Sequence, residues 1–284
     1  MPLSKVQVTS SDGARVEVHL DGAHVTSWRP APGEDERLFL STRSRFGPGM
    51  SIRGGIPVIF PQFAAEGPLP RHGFARTTRW TLDDAHTEQG GDAVATLVLT
   101  DSDETRAIWP ARFRAVLRVR ATGQRLSVTL AVTNMGTAAF QFAAALHTYL
   151  RVHDVADAEV VGLRGTRYRE SATPGRFTTD SDDVVHIRGE IDRVYIDAPP
   201  ELVLREPHRA LSIGTDGFPD VVLWNPGAKA AEMADMEPGG ERFMLCVEAA
   251  AVQHPVRLEP GREWTGVQTL TAMTNPETTA RKGS

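Results

Sequence analysis

Short alternations of apolar and polar residues, each cut off by glycine, proline, aspartate or asparagine, run through almost the whole chain. A period of two lays one side of a segment against a core and leaves the other in water, which is the pattern of a half-buried β-strand. Residues 113–120 and 126–133 show it most clearly, on either side of Thr122-Gly123-Gln124. Leu126, Val128, Leu130 and Val132 share one face, and Arg114, Arg118 and Arg120 point outward from the partner segment. That arginine stripe reads as a solvated sheet face. Near the N-terminus, Val16, Val18 and Leu20 oppose Arg15, Glu17, His19 and Asp21, and Asp21-Gly22 makes the turn into a second strand through Val25 and Trp28.

Further strands are predicted at 37–41, 79–82, 93–100, 140–152, 184–187, 193–196, 201–204, 211–214, 221–224, 244–248 and 264–272. Residues 101–110 read as a polar turn, and no helix longer than one or two turns is expected. Many short strands joined by such turns predict an all-β fold, a sandwich or barrel. No linker interrupts the pattern, so residues 1–275 are expected to form one domain and 276–284 a flexible tail.

The chain has 284 residues, 40% hydrophobic and 24% charged, which is ordinary for a soluble globular protein. A net charge of −5 argues against general nucleic-acid binding, which needs a basic surface. The N-terminal residues lack the apolar run of a signal peptide, and no stretch is long and apolar enough to cross a bilayer. With the single cysteine Cys246 no intramolecular disulfide can form, and a cytoplasmic location is expected. Cys246 lies in the apolar run MLCV and reads as a buried strand thiol. Nothing suggests an obligate interface, so a monomer is expected.

One stretch breaks the period. Residues 51–80, SIRGGIPVIFPQFAAEGPLPRHGFARTTRW, interleave glycines and prolines with Arg53, Arg71, His72 and Arg76. A segment this long without regular patterning is functional or disordered. Its apolar content, including Ile56, Phe60, Phe63 and Phe74, is too high for disorder. It reads as an ordered wall rich in anion-binding groups. Arg53 beside Gly54-Gly55 suits bidentate phosphate contacts, with the glycines letting backbone approach a ligand closely.

Three other residues could carry chemistry. His147, in AAALHTYL, is either a hydrogen-bonded core histidine or a catalytic group. Glu248 follows MLCV and precedes three alanines. A carboxylate there either reaches water at a strand end or is buried, with its pKa raised into the range of a general base. Asp192 reads by itself as a turn residue before a strand, or a partner of Arg193. The nine histidines form no metal-ligand spacing, and no dinucleotide, P-loop or serine-hydrolase motif is present.

Together, IRGGIPVIFPQF and PLPRHGFAR with Trp80 close behind resemble the hexose-6-phosphate mutarotases, the glucose-6-phosphate 1-epimerases of the galactose mutarotase-like superfamily. LHTYLRV, IDRVY, DVVLWNP and CVEAA agree in order, so the resemblance spans nearly the whole chain. It implies a large antiparallel β-sandwich, with His147 as general acid and Glu248 as general base. It further implies that Asp192 and His72 contact the sugar and that Arg53 and Arg76 hold its phosphate. No cofactor or metal is implied. Arg71 stands where relatives often carry glutamine and would add a phosphate contact or face solvent. The implied activity is anomer interconversion of a hexose 6-phosphate. The alternatives are an epimerase for unphosphorylated aldoses and a non-catalytic sugar-phosphate binding protein.

Overall fold

A computed structural model of the chain describes residues 4–31, 33–171, 173 and 175–274. The expected tail, 276–284, lies outside the described residues. The strands form three sheets, and every ladder pairs antiparallel strands.

A small sheet holds Lys5–Thr9, Arg15–His19 and His24–Arg29. The largest sheet has nine strands and contains the predicted hairpin, seen as Phe113–Thr122 paired with Arg125–Asn134. The remaining sheet carries the cleft described below. Across it, in order, run Phe177–Thr179, Arg167–Glu170, Ile191–Ile196, Asp220–Asn225, Met244–Leu258, Phe140–Leu146 and Val58–Ile59, with Tyr149–Arg151 also pairing with Met244–Leu258. The two larger sheets pack face to face, so this is the all-β sandwich that the alternation predicts.

Period two sorts the central strands. In Met244–Leu258, Leu245, Val247, Ala249 and Ala251 enter the main core between the sheets. Met244, Cys246, Ala250 and Val252 point the other way, into two smaller clusters beneath the loops. Because both faces are covered, residues 244–252 are all buried, which is why this stretch reads as continuously apolar in sequence. Cys246 is a buried free thiol, as expected.

Several expectations need correction. Residues 37–41 form only single bridges, at Leu38 and Leu40, because this segment alternates between partners on two different sides. Residues 101–110 contain a short α-helix, Asp103–Ile108. Ser102 caps it, accepting the Thr105 N–H while the Thr105 hydroxyl accepts the Ser102 N–H, so threonine serves where a capping box usually has Glu or Gln. The expected strand at 140–152 is interrupted: it pairs up to Leu146 and resumes at Tyr149, leaving His147 and Thr148 outside the ladder.

The loop 51–80 is ordered against the core. Its Phe60 is fully buried and meets Phe74, Trp109, Phe113 and Phe142 at ring separations of 5.2 to 6.2 Å. Each such pair contributes about 0.5–1.5 kcal/mol beyond its burial. The glycines serve close crossings of the protein's own backbone. Gly54, at φ +119°, passes so close to Phe39 that a Cβ would lie 2.4 Å from its carbonyl oxygen. Gly55, at φ +62°, stands in the same relation to Val25, at 2.2 Å. Both let the loop cross the protein's own backbone, which fixes the direction in which Arg53 leaves it.

Candidate active site

A cleft of about 1080 Å³ opens on the face of the sheet away from the main core. All seven residues singled out in the sequence line it: Arg53, Arg71, His72 and Arg76 from the loop, His147 from the break, Asp192, and Glu248. A separate hollow of about 700 Å³ lies elsewhere; in its wall Arg37 pairs with Glu34, and His153 reaches Glu206 outside the lining.

Glu248 does not reach solvent at a strand end. It sits well inside Met244–Leu258, opposite Val222, and is 1% exposed. His147 faces it because the chain leaves the sheet there. The His147 N–H donates to the carbonyl of Pro57 at 3.0 Å, while Leu146 and Tyr149 on either side still pair with Ala249 and Cys246. A buried clamp keeps the break in shape: the Thr148 hydroxyl bonds to the Gln268 side-chain oxygen, and the Gln268 amide donates to the Val247 carbonyl at 2.9 Å. Nε2 of His147 thereby comes to 3.3 Å from Oε1 of Glu248.

Burial pushes the Glu248 carboxyl well above its usual range; Asp192 pushes it further, and Arg76 opposes. Burial holds His147 well below its ordinary value, and His72, Arg76 and Arg53 add to that. Both groups therefore resist charging, and the pair has environments that push its two pKa values apart from their normal order. His72 is lowered to about 3, first by burial and then by Arg76, Arg71 and Arg53. Its Nδ1 accepts the Ala64 N–H at 3.2 Å, which leaves the proton on Nε2 as a neutral donor.

The loop holds its shape through Gln62, whose amide exchanges two 2.9 Å hydrogen bonds with the backbone of Leu69. Gly73, at φ +67°, packs against the backbone of Phe60 just beyond His72. Asp192 lies inside the strand Ile191–Ile196 rather than before it, and it is not the partner of Arg193. Neighbours along a strand point to opposite faces. Arg193 goes to Glu170 and the Tyr168 ring, while Asp192 enters the cleft and accepts a 2.7 Å bond from the Ser171 hydroxyl. Burial raises the Asp192 carboxyl.

Four buried polar atoms around this cleft have no hydrogen-bond partner: Nδ1 of His147, Oε2 of Glu248, and Nε of Arg53 and of Arg76. An unpaired buried polar group costs about 1–3 kcal/mol, so such a concentration marks a place where a ligand completes the bonding. The set is two arginine donors, an imidazole and a carboxyl, which suits a polyhydroxylated anion. His147, Cys246 and Glu248 also bring one donor atom each within 4.8 Å of one another, a cluster that scattered sequence positions could not reveal.

Sequence reasoning missed several lining residues. Tyr149 stacks on His147, with ring centroids 4.8 Å apart and planes 9° from parallel. Trp224 meets the same imidazole edge-on at 5.9 Å. Both lie in the quoted motifs LHTYL and DVVLWNP, so a signal was present. Arg169 and Gln253 close another side: Arg169 bonds to Gln253 at 3.2 Å and to both oxygens of Glu66. Those residues carry no pattern of their own.

A sequence profile described as aldose 1-epimerase matches residues 4–271. A relative from Cenchrus ciliaris, named "Putative glucose-6-phosphate 1-epimerase", is 36% identical over 95% of this chain and 85% of its own length. One of the same name from Escherichia coli K12 is 37% identical over 81% of this chain and 78% of its own. The crystal structure of a Salmonella typhimurium protein described as a "putative mutarotase" superposes with a TM-score of 0.87 at 29% identity, covering 95% of this chain and 90% of that one.

Proposed function

The chain belongs to the aldose 1-epimerase family, and on that premise we propose that it interconverts the α and β anomers of a hexose 6-phosphate, with glucose 6-phosphate the first candidate. The observation that carries the reading is the buried Glu248–His147 pair, 3.3 Å apart and each with an unpartnered atom, beside a cluster of arginines.

Glu248 as carboxylate takes the proton from the C1 hydroxyl. The C1–O1 bond becomes a carbonyl, the bond from C1 to the ring oxygen breaks, and His147 delivers its proton to that oxygen. Rotation about C1–C2 presents the other carbonyl face. The ring hydroxyl then attacks C1, returns its proton to His147, and O1 recovers a proton from Glu248. Each proton transfer through a placed group contributes about 10²–10⁴ in rate. No electron pair leaves the sugar, so the scheme balances without oxidant or reductant.

Arg53, Arg71 and Arg76 supply the positive charge that favours a phosphate, and an anion held away from C1 fixes the ring over the pair. His72 and Asp192 line the cleft and would bond sugar hydroxyls, one as a donor and the other as an acceptor. The names carried by the two curated relatives support the phosphorylated substrate.

Exchange NMR on equilibrated glucose 6-phosphate tests this. Exchange between anomers should accelerate with catalytic protein and saturate, while glucose and galactose stay at their buffer rates. Acceleration of the neutral sugars alone would assign the site to unphosphorylated aldoses. No acceleration with intact glucose 6-phosphate binding would make it a non-catalytic binding site.

A further inference from the structure

Arg53 is already engaged by the protein on both ends of its fork. Nη1 donates to the Tyr149 hydroxyl at 3.0 Å, and Nη2 lies 3.1 Å from Oδ2 of Asp235. Tyr149 in turn lies flat against His147. Four side chains thus form one line, from a loop carboxylate through a guanidinium and a phenol to the imidazole. Asp235 is outside the quoted motifs, in the polar run EMADMEPGG.

That loop is tied down where it needs to be. Met236 is buried in a cluster with Phe39, Tyr149 and Cys246. The Asp235 carbonyl accepts a 2.7 Å bond from the Ser41 hydroxyl, and Glu237 also bonds to Ser41. The Asp235 side chain is about three-quarters covered. A carboxylate on so constrained a segment sets the direction of its arginine, and bidentate-capable Arg transmits direction better than Lys could.

We propose that Asp235 is a positioning residue for the anomerisation: through its ion pair with Arg53 it holds the Tyr149 ring flat on His147 and offsets the guanidinium charge beside the acid. The inference rests on the catalytic reading of His147 given above. It changes what Arg53 does. Besides attracting the phosphate, Arg53 links the loop to the acid, and Arg76 and Arg71 carry more of the anion's hold. Arg71 has no ion-pair partner among the described residues, whereas Arg53 does.

The groups facing His147 fix the sign of the electrostatic effect. Glu248 and Cys246 face it from Met244–Leu258, Tyr149 from Tyr149–Arg151, Trp224 from Asp220–Asn225, and His72, Arg76 and Arg53 from the loop. Asp192 acts on Glu248 from Ile191–Ile196, on the far side of Asp220–Asn225. Neutralising Asp235 leaves Arg53 uncompensated, so a proton on His147 is disfavoured. The anion is attracted at least as well as before.

The test is Asp235→Asn, with Asp235→Glu as rescue and Tyr149→Leu as the reference for a lost stack. In Asp235→Asn, kcat for glucose 6-phosphate should fall about tenfold, the scale of a slightly misplaced group. KM should not rise, and the basic limb of the kcat profile should move to lower pH. Asp235→Glu should recover most of kcat. The ring-proton shifts of His147 by NMR, displaced by the stacked phenol, should move toward those of Tyr149→Leu. A raised KM at unchanged kcat would overturn the proposal, leaving Arg53 a phosphate ligand only. Wild-type ring shifts in Asp235→Asn would also overturn it. Should the wild-type protein prove inactive on glucose 6-phosphate, the function fails separately, and the ring shifts alone decide whether Asp235 positions His147.

Discussion

Oε1 of Glu248 lies 3.3 Å from Nε2 of His147, and the other atom of each group, Oε2 and Nδ1, has no partner among the described residues. Burial raises the carboxyl and lowers the imidazole. Both shifts favour the neutral forms, an uncharged imidazole beside a protonated carboxyl. The proposed reaction needs a proton on His147 and a carboxylate at Glu248. On the proposed reading, a phosphate dianion bound beside Arg53 and Arg76 would offset charges that lower His147, and so would draw the proton across.

A pH signature follows from that proton shift. The rate should be bell-shaped, with limbs belonging to the coupled pair rather than to either residue. Because bound dianion favours the protonated state, the basic limb of kcat should lie at higher pH than that of kcat/KM. Steady-state anomerisation of glucose 6-phosphate across pH checks this; coincident basic limbs would mean that the substrate leaves the pair's protonation untouched.

The arginines should separate binding from chemistry. Arg76→Ala and Arg71→Ala are expected to raise KM for glucose 6-phosphate, Arg76 by about 10–100-fold, the range of a lost charge-assisted contact of roughly 1.5–3 kcal/mol. Exposed Arg71 should matter less and fade with salt. Titration calorimetry at two ionic strengths reads both effects.

Backbone crossings in the loop should tolerate no side chain. Gly54→Ala would drive a Cβ to 2.4 Å from the Phe39 carbonyl oxygen at a φ of +119°. A loss of about 1–3 kcal/mol is expected from backbone strain alone, with more from the clash. Urea unfolding measures it, and a variant as stable as wild type would show that the loop can slide past Phe39.

Burial of the Glu248 carboxyl should cost stability. A folded-state pKa above the unfolded one means that the folded protein holds a proton which the unfolded chain releases. Stability from this group is therefore fully present below the unfolded pKa and is lost as pH rises toward the folded value. Glu248→Gln should stabilise the protein by about 1 kcal/mol near neutrality, or roughly 2–4 °C in melting midpoint. The gain should be larger at pH 8 than at pH 5, which thermal unfolding at the two pH values checks.

Much of this molecule is legible before any coordinates. Alternation at Leu126, Val128, Leu130 and Val132 gives a strand face directly, since the side-chain period is a local property. Glu248 stands out because charge is rare in a doubly covered strand. The short strands Arg167–Glu170 and Phe177–Thr179 escape notice because most of their side chains are half-exposed or exposed and show no alternation. Asp235 could not be found at all. It reaches Arg53 across more than half the chain, and its polar loop looks like any surface turn. Strand order is equally hidden, since Phe140–Leu146 pairs with residues near Ala250 only after the sheet has assembled.

Anomer exchange in Glu248→Gln, measured beside its affinity for glucose 6-phosphate, bears most directly on the claim that Glu248 and His147 move the protons. Glutamine keeps the shape and cannot accept the C1 proton. The exchange rate should drop by about 10²–10⁴ while the dissociation constant stays within a few-fold of wild type, and His147→Asn should match it. Exchange at the wild-type rate in Glu248→Gln would contradict the account, because no other carboxylate comes this close to His147 among the described residues.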